Sequence, residues 1–207
     1  MTRRPFSRAV FLPLAAAVSA LAAGCYVPSQ TVQVSRIDER ESEDLSGHWN
    51  ARDTRIVATE IRDQMVRWAD EAVAKLGKNP VLIIQRIRNR SMEHIDTQAL
   101  AREIQTQMLS VGNVSFVADS RERHALDRER QYQDVNASEE TRKEKGNEIG
   151  ADYALSGDIA SDMDRRGGTT ETTFRITITL SDLRTNEIVW SGQSVISKRV
   201  QRAASTW

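Results

Sequence analysis

The 207-residue chain holds one cysteine, four prolines, ten glycines and three histidines, and only 5% of it is aromatic. A single cysteine excludes an internal disulfide, a Cys-x-x-Cys redox pair and a cysteine-rich zinc site. His48, His94 and His124 are nowhere three or four residues apart, the spacing that puts two ligands on one helix face, so no metal is expected. No Ser sits in a G-x-S-x-G elbow. Gly167 and Gly168 follow Arg165 and Arg166 between two strand-like runs, where a hairpin needs positive φ. They do not open a helix, so they are not a phosphate cradle, and no cofactor is expected. An excess of one charge is also missing: 29 basic residues balance 29 acidic ones, which leaves no electrostatic footprint for nucleic acid. With 39% apolar and 28% charged residues, the chain supports one core, small for its length. Part of the chain must lie outside that core.

No apolar run is long enough to span a bilayer. The stretch 9-AVFLPLAAAVSALA-22 is too short and is interrupted by Pro13. Arg3, Arg4 and Arg8 precede it with no acidic residue between, the pattern of an export leader over residues 1–24. The run 2-TRRPF-6 resembles the start of a twin-arginine leader, and the general secretory route fits the same residues. The leader ends in 21-LAAGC-25, a lipobox in type, whose small residues lie extended in a peptidase cleft. An ordinary secretory leader followed by a chance Cys is the plainer reading, but a lone Cys has no internal partner, so lipidation is the use left for Cys25; two or three acyl chains anchor stably where one does not. Tyr26 follows, not the Asp that holds bacterial lipoproteins in the inner membrane. The expected location is the periplasmic face of the outer membrane. Beyond Cys25, 26 basic residues face 29 acidic ones, a net charge of −3.

Residues 25–48 are polar and mostly aperiodic and read as the lipidated N-terminus and a flexible tether. From Cys25 to Leu45 the tether reaches at most about 70 Å. The folded domain is expected over residues 49–200, with 201–207 a short tail. From Asp53 to Leu76 the apolar spacing is helical, with Gly77 as stop. The run 81-VLIIQRI-87 is apolar on both faces and suits an interior strand. Asp96 caps a helix from about Thr97 to Ser110, with Ile95 and Leu100 placed as a hydrophobic staple. A short strand, 113-NVSFVA-118, follows. Two polar helical stretches come next, residues 120–134 and residues 138–150 with Ser138 as N-cap. Strands over 152–160, 172–182 and 188–199 end the domain, joined by turns at 164–170 and 183–187. In the middle one Phe174, Ile176, Ile178 and Leu180 alternate with polar residues, so one face is wet. Asp162 and Asp164 read as solvated turn residues, and 198-KRVQR-202 as a basic cluster too small to name a ligand. The predicted order is α-β-α-β-α-α-β-β-β. This is an α/β fold, a single domain with a mixed β-sheet that ends in an antiparallel meander and is flanked by helices.

The stretch 89-NRSMEHIDT-97 concentrates residue types found in active sites. Ser91 and His94 could be imagined as a dyad, yet Asn89, Ser91 and Asp96 have a simpler use in turning and capping the loop into the next helix. Contact with a partner falls to Arg88, Arg90 or His94. From the residues alone, the domain is a tethered binding module.

The runs 44-DLSGHWN-50, 88-RNRSMEHIDT-97, 114-VSFVADSRER-123, 138-SEETRKEKGNEIGADYALSGDI-159 and 182-DLRTNEIVWSG-192 together resemble the LpoB family. These are outer-membrane lipoproteins that activate a bifunctional, class A penicillin-binding protein. The resemblance covers roughly residues 44–198. It implies a small domain of the TolB N-terminal type, without enzymatic activity, that docks on an accessory domain of the synthase. Separately, a monomer is expected. The family carries a long proline-rich linker; here the tether is about twenty residues with Pro28 alone. The sheet end is expected to present Asn89, Arg90, Ser91 and His94 to the partner. A rival reading is a secretion or transport component of the CsgG or TolB kind, since 150-GADYALSGDI-159 occurs in looser form there. A CsgG-type pore needs added spanning hairpins of about ten alternating residues per strand, and only 172–182 has that pattern. An enzyme acting on the cell wall would need a positioned acid or nucleophile in a cleft.

Overall fold

A computed structural model describes residues 46–143, 146 and 148–201. Cys25, most of the tether and the tail beyond Gln201 lie outside the described residues. The first helix, α1 (Ala51–Leu76), begins two residues before the predicted start. The cause is a capping box: the Asn50 side chain accepts from the Asp53 N–H at 3.1 Å, and the Asp53 carboxylate accepts from the Asn50 N–H at 2.9 Å. Gly77 ends the helix in the left-handed region, φ 68°. Strand β1 (Val81–Asn89) runs two residues past its predicted end. Helix α2 (Thr97–Val111) carries the predicted N-cap: Asp96 accepts from the N–H groups of Gln98 and Ala99. Ile95 and Leu100, the two halves of the staple, are both buried. Strand β2 (Ser115–Val117) is only three residues long.

Helix α3 (Ser120–Asn136) buries none of its residues. The helix predicted over 138–150 is absent among the described residues. Thr141 and Arg142 donate to the Ser138 carbonyl in a single turn, and Gly146 takes φ 96°. A segment whose one large apolar side chain, Ile149, is 72% exposed has no face to bury, and short helices in water do not hold without one. The observed order is therefore α-β-α-β-α-β-β-β.

Strands β3 (Tyr153–Arg166), β4 (Thr169–Asp182) and β5 (Ile188–Gln201) are longer than expected. The turn between β3 and β4 shrinks to Gly167–Gly168, with Gly167 at φ 58°. Asp162 and Asp164 are thus strand residues paired with Thr173 and Glu171, not turn residues. The sheet order is β2-β1-β3-β4-β5, parallel from β2 to β3 and antiparallel from β3 to β5. In the β4–β5 turn Asp182 accepts from the N–H groups of Arg184 at 2.7 Å and Thr185 at 3.0 Å. These two bonds hold its carboxyl below the usual range.

Phe174, Ile176, Ile178 and Leu180 of β4 are fully buried with Ile61 and Met65 of α1 and Leu100, Ile104 and Met108 of α2 in one cluster. Both helices therefore cover the same face of the sheet. On the opposite face hydroxyl pairs cross the strands, Thr173 to Ser197 at 2.9 Å and Ser156 to Thr179 at 3.1 Å. Trp49 stands edge-on to Phe174, and Trp68 edge-on to Tyr153. Burial, helped by Asp182 and Asp152, pushes the Tyr153 phenol up.

The two sides of the sheet are finished differently. On β5 the Gln64 side chain pairs with the edge as a strand would, accepting from the Gln193 N–H at 3.1 Å and donating to its carbonyl at 2.9 Å. Glu60 holds Ser194, and Lys198 reaches Asp53 at 2.6 Å and the His48 carbonyl at 2.9 Å. Such covering blunts an edge that would otherwise invite pairing.

Candidate functional site

The loop from Asn89 to Asp96 leaves the C-terminal end of β1, the end of a parallel strand where α/β sheets place their binding crevices. Asn89 is fully engaged within it. Its side chain donates to the Glu93 carbonyl at 2.7 Å and accepts from the Ser91 N–H at 3.0 Å and hydroxyl at 2.7 Å. Ser91 also meets the Glu93 carbonyl at 3.1 Å and N–H at 3.3 Å. The Arg90 N–H bonds to the Ile159 carbonyl at 2.7 Å and the Met92 N–H to the Ser161 hydroxyl at 3.1 Å. These bonds turn and tie the loop, and the Ser91 hydroxyl is shared with Asn89 and Glu93 rather than with His94.

Arg90 and His94 differ from their neighbours. Both are exposed, and neither side chain has a hydrogen bond or ion pair among the described residues. Met92 between them is 65% exposed. Of the four residues singled out in the sequence, two hold the loop and two face outward. Sequence reasoning missed Glu93, whose carboxylate bonds His48 Nδ1 at 3.0 Å and the Trp49 N–H at 2.9 Å. It fastens the loop to the segment that leads into α1.

Sequence reasoning also missed a groove beside this loop. Strand β2 pairs only with Val81, Leu82 and Ile83, so β1 from Ile84 onward loses its neighbour on that side. The loop residues therefore stand beside an interior strand whose second half is an edge, not on an edge strand as such. Residues Gln98, Ala101 and Arg102 of α2 form one wall of the groove and the first turn of α3 the other. Arg86, Arg102, Arg121 and Arg123 line it, and none has an ion pair among the described residues. Asp119 and Glu122 line it too, but they cap α3 reciprocally at 2.9 and 3.1 Å. Among the described residues no three of His, Cys, Asp and Glu converge to hold a metal, and no helix is long and apolar enough to cross a membrane.

The family model described as peptidoglycan-synthase activator LpoB matches residues 53–196. The chain belongs to the LpoB family. The match opens in the first turn of α1 and closes inside β5, so the loop Asn89–Asp96 and the groove both fall within it. Several solved structures are similar. The LpoB C-terminal domain from Escherichia coli is 16% identical at a TM-score of 0.43, over 70% of this chain and 99% of that one. The E. coli LpoB structure determined by NMR is 14% identical at 0.39, over 98% and 96%. A lipoprotein from Neisseria meningitidis is 14% identical at 0.37, over 61% and 88%. No curated protein matches the chain. The family match, and not these superpositions, decides the assignment. LpoB members are activators of peptidoglycan synthases, and this chain presents the domain of such a regulator.

Proposed function

We propose that the chain is a non-enzymatic lipoprotein that binds a class A penicillin-binding protein and raises its rate of glycan polymerisation and peptide cross-linking. The family match over nearly the whole described domain carries this reading. Activation needs only tighter binding to the active than to the inactive conformation of the synthase. A thirtyfold effect corresponds to about 2 kcal/mol of difference, within reach of one modest interface. Diacylglycerol on Cys25 would hold the chain at the periplasmic face of the outer membrane, which the mass of the N-terminal peptide reads directly.

The test is a glycan-polymerisation assay with the purified mature chain and a class A penicillin-binding protein from the same cell. Saturable acceleration, with direct binding in the same concentration range, is the expected result. Binding to neither the synthase nor its accessory domain would remove the reading.

Arg90 and His94 are proposed as contacts, because they are the outward-facing pair of a loop that Asn89, Ser91 and Glu93 hold still. The double change Arg90→Ala/His94→Ala is expected to weaken synthase binding about tenfold with unfolding unchanged, since neither side chain supports the fold. Unaltered affinity would clear the loop of any part in docking.

A further inference from the structure

We infer that an extended, acidic segment of the synthase adds as a strand to the open half of β1, in the groove between α2 and the start of α3. This rests on the proposed function for the identity of the partner. The backbone makes the case first. The Arg90 N–H points to β3, where it bonds Ile159. Peptide groups alternate along a strand, so the N–H and C=O groups of Ile87 and Asn89 point the other way. On that side β2 has already ended, its last partner being Ile83. The open section is long enough for about five residues of added strand, roughly 17 Å.

The contrast with β5 carries the case further. On that edge the Gln64 side chain caps both main-chain groups of Gln193, whereas the second half of β1 is left uncovered between two walls. An uncovered edge set in a groove is the geometry of strand addition, in which main-chain bonds give affinity and flanking side chains give selectivity. Here the flanking side chains are Arg86, Arg102, Arg121 and Arg123. Asp119 and Glu122 offset two of these charges but are bound to the α3 N–H groups. The groove is thus cationic on balance, and its unpaired guanidiniums suit carboxylates on a strand lying between them.

The experiment uses the full mature chain and the purified class A synthase, and follows amide exchange at Ile87 and Asn89 with and without the partner. Protection of both amides on binding is expected, together with an affinity loss of at least about tenfold in Arg102→Glu/Arg121→Glu, the variant's own unfolding being unchanged. Wild-type affinity in that variant, or amides that exchange as freely in the complex, overturns strand addition while leaving the proposed function standing. No binding by the wild-type chain removes the proposed function and the named occupant together. Protection already present without synthase assigns the edge to another occupant and overturns this one. Dependence on chain concentration identifies a second copy, and loss on deleting residues 38–44 identifies the acidic tether.

Discussion

Lys198→Met is expected to lower the stability of the domain by about 4 kcal/mol, a fall in melting temperature of roughly 10 °C or more for a domain of this size. The Lys198 ammonium lies 2.6 Å from the Asp53 carboxylate, with side chains 6% and 3% exposed. Truncating one partner leaves the other charge buried, and that uncompensated charge is the main cost. Asp53 is also the third residue of α1 and half of its capping box, so its displacement unfastens the helix start. The Lys198 bond to the His48 carbonyl is lost as well, and His48 and Trp49 are the residues that Glu93 grips. Urea unfolding of the mature chain measures the effect. The double variant Asp53→Asn/Lys198→Met removes both charges of the pair and keeps an acceptor for the Asn50 N–H. It is expected to recover at least half of the loss, and the double-mutant cycle gives the coupling. A single variant within about 1 kcal/mol of wild type would show that the pair is well solvated, contrary to its burial.

Lys198 also shows what a sequence hides. In 198-KRVQR-202 it reads as one member of a small basic cluster, and only the approach of α1 to β5 makes it interior. Periodicity and capping chemistry are local, so α2 was legible to within a residue from Ile95, Asp96, Leu100 and Gly112. The start of α1 was not, because Asn50 lies in a polar stretch that resembles its tether. The segment 138–150 has a good N-cap and helix-forming residues, yet nothing for a helix to cover. Within the site, residue types marked the loop and already separated Asn89 and Ser91, which turn it, from Arg90 and His94, which face out; what they did not mark is Glu93, which ties the loop to His48 and Trp49. The groove was illegible for a different reason. Its four arginines come from β1, α2 and α3, and they converge only because β2 stops after three residues and the sheet orders itself β2-β1-β3.

Gly157→Ala is expected to cost about 3 kcal/mol, the upper part of the range for overpacking. Gly157 lies in β3 between β1 and β4, so neither neighbour is free to move aside. A Cβ there would run into the main-chain oxygen of Thr177 and stand 2.7 Å from Ile178 Cδ1. A side-chain tip can rotate away, but a carbonyl held in the sheet cannot. Alanine removes some freedom from the unfolded chain, which favours folding by about 0.4 to 1 kcal/mol, too little to reverse the sign. Gly150→Ala provides the control, since nothing lies within 4 Å of its Cβ and its backbone is not left-handed. That variant is expected to equal or slightly exceed wild type in urea. The glycine also bears on the site. Ile84 pairs with Leu155 and Ile87 with Gly157, so β1 carries one extra residue opposite Ser156, next to this position. That bulge sets which peptide groups of β1 face the open groove beyond it. Gly157→Ala should therefore weaken synthase binding by more than its residual unfolded fraction explains, measured where the variant is fully folded. Affinity that follows the folded fraction alone would mean that the bulge serves packing and not the groove.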